Sequence, residues 1–219
     1  MQRRRLPDDR FNKFRGKRQG QNPNTYRLFV AVFPPDEYLA FFRDTLRKFD
    51  KEKRNLRNIP VDQIHMTLKF IGSQVSEYSK DQITESLQKF SGNYPKPVIK
   101  IDGVQFGYPQ QVDPRIILAS VTNNDDLDDL AEVVHQRIRD LRLFDTIRWK
   151  EKGKRQFHIS LSRLKDSASE SHGRSVLEIV RNLGEIEFPE EFTAEYIDLV
   201  QSVIAPGSVT YKRLGRIKL

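Results

Sequence analysis

Short runs of alternating apolar and polar residues along this chain are separated by stretches in which apolar residues recur at every third or fourth position. Strands and helices therefore take turns. Residues 27–33 (RLFVAVF) are rich in β-branched and aromatic side chains and are stopped by Pro34-Pro35, which predicts a strand. Leu39, Phe42, Leu46 and Phe49 then follow at helical spacing. A charged connector at 51–57 leads to a predicted strand at 64–71. Next comes a helix carrying Ile83, Leu87 and Phe90, with Ser79 and Gln82 spaced as a capping box. The second half repeats the rhythm. Strands are predicted at 98–106 and 116–121, around a turn at 107–114. A long helix entered through Asn124-Asp125 presents Leu127, Ala131, Val134, Ile138 and Leu141 on one face. A strand at 157–163 precedes a helix marked by Val176, Ile179, Val180 and Leu183. Closing strands at 192–204 and 211–219 are parted by Pro206-Gly207. This order predicts an α+β protein whose two lobes are related by approximate symmetry.

Two strand motifs repeat at the level of residues. They are Ile64-His65-Met66-Thr67-Leu68-Lys69-Phe70 and Phe157-His158-Ile159-Ser160-Leu161-Ser162-Arg163. Side chains on a strand alternate faces. Alternation puts His65 and Thr67 on one face and Ile64, Met66, Leu68 and Phe70 on the other. It likewise groups His158 with Ser160 against Phe157, Ile159 and Leu161. One such strand from each lobe would line a shared cleft with two imidazoles and two hydroxyls, a set suited to phosphodiester cleavage. A neutral imidazole takes a proton from water while a protonated one gives a proton to the leaving oxygen. Thr67 and Ser160 donate to the phosphate oxygens, where negative charge builds. A single His-x-Thr is a weak signal, because a lone strand histidine is more often packed or exposed than reactive; the paired occurrence carries the argument. His135, within the long helix, and His172, in a polar loop, lack such surroundings and are expected to be structural or exposed.

Composition narrows the picture. Hydrophobic residues at 37% against 31% charged describe a folded chain rather than a disordered one. No apolar run is long enough to span a membrane, and no export signal is expected, which predicts a cytoplasmic setting. The absence of cysteine excludes disulfides, thiolate zinc sites and cysteine nucleophiles. No cofactor or metal is expected, and a monomer is the default. Most of the net charge of +8 sits in residues 1–25, where Arg3, Arg4, Arg5, Arg10, Lys13, Arg15, Lys17 and Arg18 face only Asp8 and Asp9. Residues 1–25 are read as a flexible basic arm, with Phe11 and Phe14 available for stacking and non-specific RNA contact as its expected role. Residues 26–219 are expected to form a single bilobal catalytic domain.

On these residues the chain resembles the 2H phosphoesterase superfamily, named for paired His-x-Thr/Ser motifs. Within it the chain resembles the RNA 2′,3′-cyclic phosphodiesterases, also called 2′-5′ RNA ligases. The likeness spans about residues 26–219, from Arg27-Leu28-Phe29 through both histidine motifs to the segment from Tyr211 to Leu214. It implies a bilobal fold of antiparallel-rich sheet with outer helices around a central cleft. It also implies metal-independent opening of RNA terminal 2′,3′-cyclic phosphates to 2′-phosphates, and a phosphate-side role for Arg163. Ser160 stands where the family more often has threonine, and Phe157 where it usually has proline. His158 is cast as the base and His65 as the acid. The rival readings are 2′-5′ RNA ligation by the same groups and an RNA- or nucleotide-binding module without turnover.

Overall fold

The computed structural model describes residues 24–109, 111–147, 155–183, 188–189, 191–205 and 208–219. The expected basic arm, apart from Asn24 and Thr25, and the turn at Pro206-Gly207 lie outside the described residues. The elements in chain order are β1 (Thr25–Val32), α1 (Asp36–Arg47), β2 (Leu56–Asn58), β3 (Met66–Ser76), α2 (Glu77–Gln88), β4 (Val98–Ile99) and β5 (Ile101–Phe106). They continue with β6 (Ile116–Val121), α3 (Asp125–Asp140), β7 (His158–Leu164), α4 (Glu170–Arg181), β8 (Phe192–Thr193), β9 (Tyr196–Ala205) and β10 (Ser208–Lys218). One sheet runs in the order β10-β9-β1-β3-β7-β6-β5, with β2 also on β7, and β4 pairs with β8 apart from it. All the strand pairs are antiparallel.

The sheet has two halves, β10-β9-β1-β3 and β7-β6-β5, in which β3 and β7 touch at one residue pair, Met66 with Ile159; the closing strands β9 and β10, read in the second half of the sequence, lie beside β1 in the first of these halves. β2 and β3 share one edge of β7. β2 pairs with the end of β7, and Ile59 N–H bonds the Leu161 carbonyl at 2.9 Å. The chain then makes a tight turn at Val61–Gln63 and rejoins β7 at Met66. The connector expected at 51–57 therefore ends in a strand. The halves are interlocked by helix packing, since α1 packs on β7 and α3 packs on β3.

Alternation along β1 sets the layers. Leu28, Val30 and Val32 join one continuous core with Phe42, Ile83, Val134 and Val176 from the four helices, while Phe29 and Ala31 pack with Val200 in a separate cluster. Burying each such side chain contributes about 1.5–3 kcal/mol. Among the described residues the sheet therefore has one helix-covered face and an opposite face that carries no helix.

Three local expectations are corrected. The cap of α2 is Ser76, whose Oγ accepts from Ser79 N–H at 3.2 Å; β3 runs on to this point, past the predicted end at residue 71. The Ser79 hydroxyl instead donates to Asp145 Oδ1 at 2.7 Å. His172 lies in the first turn of α4, where its Nδ1 accepts from Ser169 N–H at 3.2 Å, so it caps a helix rather than sitting in a loop. The strand expected at 98–106 breaks at Lys100, because Val98 and Ile99 leave to pair with β8. The predicted start of α3 holds, with Asn124 Oδ1 accepting from Leu127 N–H at 2.8 Å.

Candidate active site

The Met66–Ile159 pair fixes the arrangement of the two histidine motifs. Continuing that antiparallel register by one residue each way sets His65 across from Ser160 and Thr67 across from His158. Imidazoles occupy one diagonal of a rectangle and hydroxyls the other. Diagonal neighbours on one face lie roughly 7–8 Å apart. The two rings are close enough for the His158 charge to act on His65.

Each imidazole is anchored in the same way. His65 Nδ1 lies 2.7 Å from the Gln63 carbonyl, and His158 Nδ1 lies 3.2 Å from the Gln156 carbonyl. A carbonyl oxygen only accepts, so Nδ1 carries the proton in both contacts and Nε2 is left for chemistry. Gln63-Ile64-His65 and Gln156-Phe157-His158 are thus one repeated device, a signal present in the sequence that alternation alone does not flag. The Gln63 side chain also accepts from Tyr211 N–H at 3.0 Å, which ties β10 to the first motif.

Both strands carry a β-bulge three residues after the histidine. Against β1, Lys69 pairs with Val30 and Thr67 with Ala31, leaving Leu68 extra. Against β6, Ser162 pairs with Ile117 and Ser160 with Leu118, leaving Leu161 extra. The extra residue reverses the alternation beyond it. Phe70 consequently packs with Phe29, Ala31 and Val200 on the histidine face, not on the opposite face as strict alternation predicts. The same slip brings Arg163 to the face of His158 and Ser160. The Arg163 charge is felt by both Tyr108 and Tyr211.

The two histidines differ in surroundings. His65 is 8% exposed. Its ring stacks on Phe29 at 4.8 Å, meets Tyr211 edge-on at 4.7 Å and lies 5.5 Å from Phe33. Burial lowers its pKa to about 4, with the His158 and Arg213 charges acting in the same direction and the Gln63 carbonyl opposing them. His158 is more open, and its Nε2 lies 3.0 Å from the Tyr108 hydroxyl. Burial pushes the Tyr108 phenol up, against the pull of Arg163, so at neutral pH the hydroxyl is protonated and donates to Nε2. Sequence reasoning missed Tyr108, and with it Arg27 and Arg213. Arg27 sits 4.4 Å above the Phe70 ring and Arg213 sits 3.6 Å above Phe33. The period of β1, which groups Arg27 with Phe29 and Ala31, is the signal that could have found Arg27. Together the guanidiniums give the histidine face a positive field suited to a phosphate. A larger recess of about 500 Å³, bordered by Phe106, Arg115, Leu164, Gly173 and Leu177, includes none of these residues.

The depressed His65 pKa has a consequence for stability. Between pH 6.5 and about 4 the unfolded chain binds a proton at His65 that the folded chain refuses. This group's contribution is therefore complete above pH 6.5 and is lost as pH falls toward 4. The expected loss is about 3 kcal/mol. Urea unfolding at pH 7 and pH 4.5 checks it: a His65→Gln variant should lose less stability than the parent over that interval. An equal loss in both would mean that the imidazole is not held neutral.

No family model matches the sequence, and no curated protein matches it. Solved structures do. The protein TT0787 of Thermus thermophilus aligns with a TM-score of 0.70 at 23% identity, over 88% of this chain and 97% of its own. LigT of E. coli, solved with 3′-AMP, aligns with a TM-score of 0.63 at 18% identity, over 89% of this chain and 98% of its own. A structure described as a phosphoesterase gives a TM-score of 0.60 at 18% identity, over 89% of this chain and 98% of its own. With nearly the whole length of each neighbour superposed, this chain has the fold shared by TT0787 and LigT.

Proposed function

We propose that this protein is a hydrolase that opens 2′,3′-cyclic phosphates at RNA ends to 2′-phosphates by two-histidine acid–base catalysis without a metal. The observation that carries this reading is the rectangle of two Nδ1-anchored imidazoles and two hydroxyls on one face of the sheet, flanked by guanidiniums. A LigT structure of the same fold holds 3′-AMP, which supports a nucleotide phosphate as ligand.

In the reaction a water oxygen bonds to phosphorus while the P–O3′ bond breaks. One imidazole takes the water's proton, and the other supplies a proton to the departing 3′ oxygen. His158 is assigned the first role because it is the more open ring, where water has access. His65 is assigned the second, because its aromatic surroundings exclude water and suit a leaving oxygen. The free His65 ring is neutral at pH 7. The arriving phosphate anion raises its pKa, since an opposite charge within a few ångströms favours the imidazolium. Substrate thus loads its own acid. Thr67, Ser160 and Arg163 face the phosphoryl oxygens as charge accumulates there.

The test is an end-group assay. Purified protein is incubated with EDTA and a short RNA ending in a 2′,3′-cyclic phosphate, with and without a second RNA bearing a 5′-hydroxyl. The expected product is a 2′-phosphate at an EDTA-insensitive rate. A 2′-5′ junction as the main product would assign the same groups to ligation. Tight binding of the RNA with an unchanged end would make the protein a binding module.

A further inference from the structure

We propose that Arg57, beside Arg163, forms a second anion subsite that holds the phosphodiester one nucleotide before the reacting end. Oligonucleotide ends are then favoured over mononucleotides. The inference rests on the reading above for the nature of the reacting group, but its own evidence lies elsewhere in the sheet.

Arg57 and Arg163 are direct cross-strand partners between β2 and β7. Like charges directly opposite on a sheet destabilise it. Among the described residues neither guanidinium takes part in an ion pair. The fold thus places two positive charges side by side where it gains nothing for stability. Both border a groove of about 280 Å³ that is also bordered by Ser160, with Ile59, Pro60 and Val209 among its apolar lining. That volume is near the lower end for ligand pockets and fits roughly one nucleotide unit. Ser160 belongs to the histidine rectangle, Arg163 comes three residues further along β7, and Arg57 lies across the strand from Arg163. The groups therefore lead away from the histidines in order. A cyclic phosphate ends an RNA strand on its 3′ side, so every other phosphate of that strand lies 5′ to it. A planar guanidinium bonds such a phosphodiester through paired N–H groups, and the apolar walls take the sugar or base between the two phosphates.

The experiment compares a nucleoside 2′,3′-cyclic phosphate with a dinucleotide ending in the same cyclic phosphate, on the parent protein, Arg57→Gln and Arg57→Lys. The parent should prefer the dinucleotide by roughly tenfold in kcat/KM, mainly through KM. That preference should collapse in R57Q and be partly kept in R57K. Replacing the internal phosphodiester by a neutral methylphosphonate should abolish the preference in the parent and change nothing further in R57Q. Binding of the corresponding 2′-phosphate products, read by calorimetry, should show the same discrimination. A preference that survives in R57Q, or none in the parent, overturns the subsite. Should neither substrate turn over, the hydrolase reading fails by itself, and the binding comparison still decides whether Arg57 holds the internal phosphate.

Discussion

Replacing His65 or His158 by alanine should lower kcat on a cyclic-phosphate RNA end by about 10²–10⁴-fold each. The double variant should fall little further, because the two rings serve a single step. The partition of roles has a sharper test than the size of the loss. A substrate with sulfur in place of the 3′ oxygen leaves without needing a proton. H65A should recover most of its activity on that substrate, and H158A should not, since water still has to be deprotonated. Rescue of H158A instead would exchange the two assignments. The free-enzyme pH profile carries the same information about environment. Its lower limb in kcat/KM should lie near 4, the pKa imposed on His65 by burial against Phe29, Phe33 and Tyr211, and not near 6.5. Full activity in H65A on the oxygen substrate would remove the basis of the proposed chemistry.

Much of this arrangement is legible in the chain before any coordinate is known, and the unread part has a definite cause. The apolar periods of 27–33, 64–71 and 157–163 locate the strands because alternation is a local property. Asn124 announces the start of α3 for the same reason: its side chain bonds an amide only three residues away. What fails is what depends on a neighbour. The extra residues Leu68 and Leu161 are defined only against β1 and β6, so nothing within either motif announces that Phe70 and Arg163 turn to the histidine face. The Ser76 cap escapes a local reading because it requires β3 to run past Ile71 alongside β1. Tyr108 reaches His158 from a loop fifty residues earlier, and no periodicity spans that distance. The doubled Gln-x-His is different. It is visible in the sequence, and its meaning, a carbonyl two residues before each histidine that fixes the tautomer, emerges only once the Nδ1 contacts are known.

Removing the two hydroxyls should be the other large loss. Thr67→Val keeps the shape of the side chain and deletes its donor; Ser160→Ala does the same at the opposite corner of the rectangle. Each should cost about 10²–10³-fold in kcat, the range measured when one donor to a developing oxyanion is lost. The loss should appear in kcat more than in KM. The cyclic phosphate already carries one negative charge in the ground state, shared with the nearby guanidiniums, whereas the additional charge forms only as water adds to phosphorus. Ser160→Thr keeps the hydroxyl and adds only a methyl, so it should retain activity within a few-fold. The pair also reports on geometry. Thr67 and Ser160 lie on one diagonal about the Met66–Ile159 pair, so they reach the phosphoryl group from opposite sides, and losing one leaves the other correctly placed. The double variant should therefore be worse than either single one, unlike the histidine pair. Steady-state kinetics of the four variants decide it. Unchanged kcat in T67V would mean that the first hydroxyl does not meet the phosphoryl oxygens, and the symmetric picture of the site would lose one of its corners.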